Sequence, residues 1–353
     1  MNNEIKQFIK TVQHNCHIAD ARYAGDYTLC VYLLKMREMY RWEQGFDFNK
    51  MLTTDDVGDW LTEREGLWDK LEEQDDQPLV IQNKPYDAFD NDLINTLLLE
   101  NNLVYNAGLG IRCRPHFFVA ELEQRIQQDD YTILISGKEY ARDMAAPAAM
   151  AQDNTIFIRR ESLRRVIWEI LDDARVQGLD NPLTRAMRFY DFESAPEEAI
   201  NQMTEAEIAY VTQHEIGEVQ AGKIVGKVWD EMTMALARTH AEIMLRAIRD
   251  HLADSITTLP LLLKSLNQQA PEQGSAPSLH FYFGNMTAMR KHLAPSLVKT
   301  YEVWNETGDV SELGALSETL ERHWTTLAEK VKLQYQTSQD AEPLEELIKD
   351  TIL

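Results

Sequence analysis

The chain has 353 residues, of which 44% are hydrophobic, and a formal net charge of -23 at pH 7. This composition argues against a disordered chain, and the negative charge would repel nucleic acids and anionic membranes, so we expect neither as a partner. The three cysteines lack CxxC spacing and the chain opens without a secretory signal, so we expect a cytoplasmic protein.

Helix-spaced apolar residues dominate the first hundred residues. One stripe begins at Ile5, and further helices are predicted over residues 27–44, with Asp26 as the cap, and over residues 54–74. We therefore expect an N-terminal helical region over residues 1–101.

Short runs of β-branched and aromatic residues follow and interrupt the helical pattern. The predicted strands are 103–105, 131–135 and 155–158. A helix is predicted over residues 138–150, up to the break at Pro147, and His116 after Pro115 is expected to begin another helix. The pattern indicates a small β-sheet near residues 103–160.

Helical periodicity returns and continues to the end of the chain. The predicted helices are 161–177, 182–190, 204–221, 227–255, 285–304, 310–335 and 344–352. Residues 268–278, rich in Gln, Pro, Gly and Ser, predict a flexible loop. We expect a mainly α protein, with residues 102–353 forming the small sheet and a multi-helix body.

The pentapeptide His214-Glu215-Ile216-Gly217-Glu218 is the most informative motif of the chain. His214 and Glu218 lie one helical turn apart and can bind one metal ion from the same helix face. Glu215 lies about 100° around the helix from His214, where it can act as a base or as a hydrogen-bond acceptor behind the ligands. Thr204 and Glu207 are expected to cap this helix.

The next predicted helix offers a second set of possible metal ligands. Asp250 and Asp254 are one turn apart, with His251 between them. A joint site with His214 requires the chain to turn back near residues 222–226, because a continuous helix would place Asp250 about 50 Å away. The three glycines within ten residues favour such a break, whereas the absence of proline between Pro196 and Pro260 favours one continuous helix, so both alternatives stay open.

Two helices that offer imidazole and carboxylates suit iron or manganese. The first hypothesis is therefore a metal-dependent redox or oxygenase-like enzyme, with the ligands drawn from His214, Glu218, Asp250, His251 and Asp254, and with Glu215 as the base. The alternative is a non-catalytic binding or scaffold protein in which these residues form ordinary ion pairs. A zincin-type protease ranks third, because Glu218 stands where that motif requires a second histidine. The substrate, whether a small molecule or a protein, and the oligomeric state stay open.

A basic region surrounds the predicted sheet. Ser136-Gly137-Lys138 is expected to follow a strand and to open a helix, so Lys138 and Arg142 could bind an anionic cofactor or ligand at the helix N-terminus. The full P-loop pattern is missing, and a turn with surface salt bridges is the alternative.

Several stretches make the chain similar to an uncharacterised bacterial protein family. They are residues 27–38, 135–143, 214–218 and 249–254. The resemblance implies a bacterial cytosolic setting and no particular activity.

Overall fold

In a computed structural model that describes residues 1–177, 179–267 and 275–353, helices predominate and a sheet interrupts them. The helices are α1 (Asn3–Tyr23), α2 (Leu29–Gln44), α3 (Thr54–Trp68), α4 (Asn91–Leu98), α5 (Arg160–Gln177), α6 (Pro182–Met187), α7 (Pro196–Val225), α8 (Lys227–Ala235), α9 (His240–Ile256), α10 (Thr258–Asn267), α11 (Ser275–Asn285), α12 (Ala288–Leu293), α13 (Pro295–Thr307), α14 (Ser311–Thr337) and α15 (Ala341–Lys349). The strands are β1 (Leu79–Ile81), β2 (Lys84–Tyr86), β3 (Leu103–Leu109), β4 (Pro115–Gln127), β5 (Thr132–Arg142), β6 (Ala149–Gln152) and β7 (Thr155–Arg159). The expected mainly α fold with a sheet is confirmed, although the chain is not all-α.

The larger sheet has the strand order β3-β4-β5-β7-β6, while β1 and β2 form a separate antiparallel pair. The helix expected to begin at His116 is wrong, because residues 115–121 pair with β3 along its whole length. The helix expected over residues 138–150 is also wrong, since β5 continues to Arg142, which pairs with Phe118 of β4. Both corrections have one cause. In each segment the backbone N–H and C=O groups pair with a neighbouring strand that is distant in sequence, and local sequence patterns do not show such pairing.

The chain forms two compact units, each built from several segments. The first contains residues Met1–Met150, Phe157–Glu169 and Glu193–Asn201, and the second contains Ala151–Ile156, Ile170–Phe192 and Gln202–Leu353. Residues 102–150, which the sequence analysis grouped with the C-terminal helices, thus belong to the first unit. They do so because Phe8 and Val12 of α1 share one buried core with Tyr105 and Phe117 of the sheet.

Helix α9 lies at the centre of the second unit. Eleven of its 17 residues are buried, and α8, α10, α12, α14 and α15 all pack against it. Its apolar side chains, such as Met244 and Leu252, share a core with Trp229 of α8 and Trp324 of α14. Four polar side chains of this helix are buried with them: Glu242, His251, Asp254 and Ser255.

The chain breaks between the two helices of the candidate site, which is the alternative that the glycines favoured. Helix α7 ends at Val225, and Gly226 takes the left-handed conformation (φ +75°) that glycine adopts readily, before α8 begins. The single helix expected over residues 227–255 is wrong, because α8 ends at Ala235 and α9 begins at His240. The Thr239 side chain caps α9 by accepting a hydrogen bond from the Glu242 N–H.

Other predicted helix boundaries also change. Thr204 and Glu207 do not cap a helix, since α7 begins eight residues earlier at Pro196 and buries both side chains. Asp26 does not cap α2, whose cap position is Thr28. Of the predicted loop 268–278, residues 268–274 lie outside the described residues and the last four residues begin α11.

Further differences concern helix length and membrane insertion. The helix expected over residues 54–74 ends at Trp68, and the one expected over residues 285–304 is interrupted before Pro295. Among the described residues, no helix is both long and apolar enough to cross a membrane.

Candidate metal centre

Helices α7 and α9 approach each other closely at Gly217, the fourth residue of the pentapeptide. A Cβ atom at this position would lie 2.6 Å from Thr257 Oγ1 and closer still to the Ala253 carbonyl oxygen. The Thr257 hydroxyl also donates a 2.6 Å hydrogen bond to the Gln213 carbonyl oxygen. Glycine is therefore required here for backbone contact, and this contact sets the distance between the two helices.

Three of the predicted ligands meet beside this contact. His214 and Glu218 of α7 and Asp250 of α9 each offer one ligand atom, and these atoms all lie within 4.8 Å of one another. All three residues are partly exposed, so an ion could reach them from solvent. A group of one imidazole and two carboxylates is a donor set for a hard or intermediate divalent ion.

Asp254 lies behind His214. Its Oδ1 is 2.7 Å from His214 Nδ1, and its Oδ2 accepts a hydrogen bond from Arg290 Nη2. Because both oxygens are engaged, Asp254 is placed to orient the imidazole, and Nε2 is the ring nitrogen left for an ion.

Their surroundings favour the charged forms of both His214 and Asp254. Burial alone would lower the pKa of His214, but the Asp254 carboxylate outweighs it and raises that pKa to about 10. Burial likewise opposes the charge on Asp254, yet Arg290 and His214 hold the pKa of that carboxyl well below its usual range. A metal ion on His214 would thus have to displace a proton.

His251 lies apart from the three possible ligands. Its ring stacks on Trp324 with centroids 4.5 Å apart, and its Nε2 donates a 2.9 Å hydrogen bond to the Arg290 carbonyl oxygen. Burial and the nearby Arg290 lower the pKa of His251 to about 3, so the ring is neutral. Its contacts are those of a core residue that fixes the position of Arg290.

The two carboxylate oxygens of Glu218 differ in their contacts with the protein. Its Oε2 lies 2.7 Å from Arg249 Nε, while Arg249 Nη1 lies 2.9 Å from Asp230 Oδ1. Its Oε1 is buried and has no hydrogen-bond partner among the described residues. A buried carboxylate oxygen without a partner is costly, so this atom would gain from an ion or a water molecule.

Glu215 is buried beside the possible ligands. Burial raises the pKa of its carboxyl to about 7, although the charge of His214 opposes this shift. A carboxyl that ionises near neutral pH can both accept and return a proton. The role of base predicted for Glu215 stays a prediction.

The second predicted site is arranged differently from the expectation. Lys138 and Arg142 both lie on β5, so no helix N-terminus is available at Lys138. Lys138 is exposed, whereas Arg142 is buried with its Nη1 3.8 Å from Glu139 Oε2. Arg159 shares that carboxylate at 2.8 Å. Several guanidinium nitrogens of Arg142, Arg159 and Arg165 are nevertheless buried without hydrogen-bond partners in the described part of the chain.

Sequence reasoning missed the arginines that complete the candidate centre. Arg249 was visible as the neighbour of Asp250, but its pairing with Glu218 depends on the crossing of α7 and α9. Arg290 comes from α12, 36 residues after Asp254, and no spacing rule connects the two. Arg246, one helical turn before Asp250, pairs with Glu242 at 2.9 Å.

Comparison with known families shows matches over most of the chain. Two models match, the N-terminal domain of a family of unknown function (DUF6866) over residues 7–159 and the C-terminal domain of the same family over residues 164–351. The chain belongs to this family, which agrees with the expected resemblance to an uncharacterised family. No curated protein and no solved structure matches the chain.

Proposed function

We propose that this member of the DUF6866 family binds a divalent iron or manganese ion between α7 and α9, with Nε2 of His214 and the carboxylates of Glu218 and Asp250 as ligands. The observation that carries the proposal is that His214, Glu218 and Asp250 each bring one possible ligand atom within 4.8 Å of the others, and that Glu218 Oε1 has no hydrogen-bond partner among the described residues. The hydrogen bond from His214 to Asp254 supports the proposal, since metal-binding histidines characteristically donate the N–H of their other ring nitrogen to a carboxylate.

Such a centre suits a redox or oxygenase-like enzyme. Three protein ligands leave coordination positions for water, oxygen or substrate. When bound, the ion would supply redox chemistry there. The Glu215 carboxyl, whose pKa burial raises to about 7, would accept and return a proton.

The test is direct metal binding. The protein, purified without chelators, is titrated with Mn²⁺ and, without oxygen, with Fe²⁺, and His214→Ala is compared with His240→Ala. His240 lies on α9, where it is exposed and pairs with Glu345 outside the centre. We expect His214→Ala to weaken binding by at least about tenfold, and His240→Ala to leave it unchanged. Equal binding by the two variants would refute the proposal.

The role of Glu215 has a separate readout. The Fe²⁺-loaded protein should consume oxygen, and Glu215→Gln should slow this reaction while metal content stays the same, because the substitution removes a proton acceptor and not a ligand. Loss of the metal together with the reaction would make Glu215 a ligand instead.

A second candidate function is a non-catalytic scaffold, and one observation favours it. Arg249 already joins Glu218 to Asp230, and Asp254 joins His214 to Arg290, so ion pairs alone can hold the helices together. In that case His214→Ala would lower the free energy of unfolding, because the buried Asp254 loses one of its partners. Neither the unmodified protein nor His214→Ala would contain metal.

A further inference from the structure

Arg249 of α9 connects the candidate metal centre to helix α8. Its Nε is 2.7 Å from Glu218 Oε2 on α7, and its Nη1 donates a 2.9 Å hydrogen bond to Asp230 Oδ1 on α8. Gly226, with its left-handed backbone, separates α7 from α8. One guanidinium group therefore joins the two helices on either side of the break.

The two contacts of Arg249 differ in kind. Its Nε is one of the buried side-chain atoms that have no hydrogen-bond partner among the described residues, so its approach to Glu218 is a charge contact without hydrogen-bond alignment. The contact with Asp230 is an ion pair and a hydrogen bond at once, which is the stronger combination for charged groups. The guanidinium can therefore leave Glu218 without losing its hydrogen bond to Asp230.

A metal ion on Glu218 would be a second cation beside the same carboxylate. Arg249 is charged at any pH near neutrality, and like charges at short range repel each other. Asp254, which lies behind His214, has the opposite effect, because its negative charge favours a positive ion on the imidazole. These two neighbours of the ligands should therefore act on metal affinity with opposite signs.

Arg249 lies where its guanidinium can change position. Its side chain is 26% exposed, and that of Asp230 is 56% exposed. Its Nη2 lies over Gly222 of α7, where even an added Cβ atom would remain at an ordinary distance of 3.6 Å. Because glycine places no side chain against the guanidinium there, the group can shift toward Asp230 while the apolar side chains of α9 stay packed.

We propose that Arg249 is a resident counter-ion that regulates the metal site. While no ion is bound, the guanidinium neutralises Glu218. When an ion binds to Glu218, the guanidinium leaves that carboxylate and is retained by Asp230. Metal affinity is then set by competition, so the site admits only an ion that attracts Glu218 more strongly than Arg249 does. This inference rests on the proposed metal centre and adds the means by which its occupancy is controlled.

The first test removes the competing charge. Mn²⁺ binding is measured by isothermal titration for Arg249→Gln and for Lys264→Gln, a control that removes one positive charge from an exposed position of α10 in the same unit. Any loss of positive charge makes a chain of net charge -23 more attractive to cations, so only the difference between the two variants is informative. We expect Arg249→Gln to bind Mn²⁺ about three- to tenfold more tightly than Lys264→Gln. Equal or weaker binding would overturn the proposal.

The second test asks whether Asp230 acts through Arg249. Asp230→Asn removes the group that retains the guanidinium, and Glu231→Gln, at the next exposed position of α8, is the matched control. We expect Asp230→Asn to bind Mn²⁺ about two- to fivefold more weakly than Glu231→Gln, and we expect this difference to disappear in the Arg249→Gln background. The same difference in both backgrounds would show that Asp230 acts by its own charge, and would overturn the proposal.

The outcomes separate this regulation from the metal centre itself. Mn²⁺ binding by the unmodified protein without a gain in Arg249→Gln would overturn the role of Arg249 and leave the centre standing, whereas no binding by any of the proteins would overturn the centre. Circular dichroism checks that Arg249→Gln keeps its helix content. Should that variant fail to fold, Asp230→Asn alters only an exposed position, and equal Mn²⁺ binding by Asp230→Asn and Glu231→Gln would overturn the proposal.

Discussion

Gly217 offers the sharpest test of how the two helices of the metal centre are held. In Gly217→Ala the new Cβ would lie 2.6 Å from Thr257 Oγ1 and closer still to the Ala253 carbonyl oxygen. Cβ atoms essentially never come within 3.0 Å of a non-bonded heavy atom, so relieving the contact with the Ala253 carbonyl oxygen requires α7 and α9 to move apart by about 0.6 Å. Forcing extra atoms into a packed contact costs about 1–3 kcal/mol.

Gly222→Ala, on the same helix, is the control. There the Cβ would lie 3.6 Å from Arg249 Nη2, an ordinary contact. Replacing a helical glycine with alanine stabilises a helix by up to about 1 kcal/mol, and this gain applies to both variants. The difference between them therefore isolates the cost of the contact, and we expect Gly217→Ala to be about 1–3 kcal/mol less stable than Gly222→Ala.

The assay is urea unfolding followed by circular dichroism and tryptophan fluorescence, since Trp229 and Trp324 lie in the core of the same unit. In a thermal scan the difference corresponds to about 2–4 °C per kcal/mol for a unit of this size. If the two alanine variants were equally stable, the close approach of α7 and α9 at Gly217 would be refuted, along with the ligand distances that depend on it.

Three further outcomes are expected. Burial raises the pKa of Glu207 from 4.5 to about 8, so its contribution to stability is complete below pH 4.5 and is lost as the pH rises through 8; Glu207→Gln should flatten the unfolding free energy over this interval. Asp254→Asn should weaken Mn²⁺ binding by about 10- to 100-fold in titration calorimetry, because His214 loses its orienting carboxylate, whereas unchanged affinity would deny that role. Millimolar phosphate should raise the melting temperature by binding the guanidinium nitrogens of Arg142 and Arg159 that have no hydrogen-bond partner among the described residues, and the absence of any shift would mean that water satisfies them.

The helical part of the fold was predictable because its information is local. The helix over residues 161–177 was found almost to the residue, since its apolar positions recur at helical spacing. Strand β4 escaped prediction although it has 13 residues, because its first six positions are all buried and show no alternation of apolar and polar residues. Its pairing with β3 and β5 is a non-local property that one sequence does not display.

The candidate centre, like the fold, could be predicted from the sequence only in part. His214 and Glu218 could be paired from their spacing on one helix, and the joint site with α9 followed once the glycines near residue 226 were taken as a break. Spacing could not separate the role proposed for Asp250, as a ligand, from that of Asp254, which contacts His214. Arg290, which engages the second oxygen of Asp254, determines this difference, and it comes from another helix.

The glycine of the pentapeptide connects fold and function. From the sequence, Gly217 could be counted only as a weak point in a helix, with a cost of up to about 1 kcal/mol. In the structure it permits the backbone contact that brings His214 and Glu218 to Asp250. Stability and metal affinity should therefore fall together in Gly217→Ala, since the same displacement acts on both. Asp250→Asn should separate them, because it weakens a proposed ligand and leaves both the contact between α7 and α9 and the His214–Asp254 pair in place.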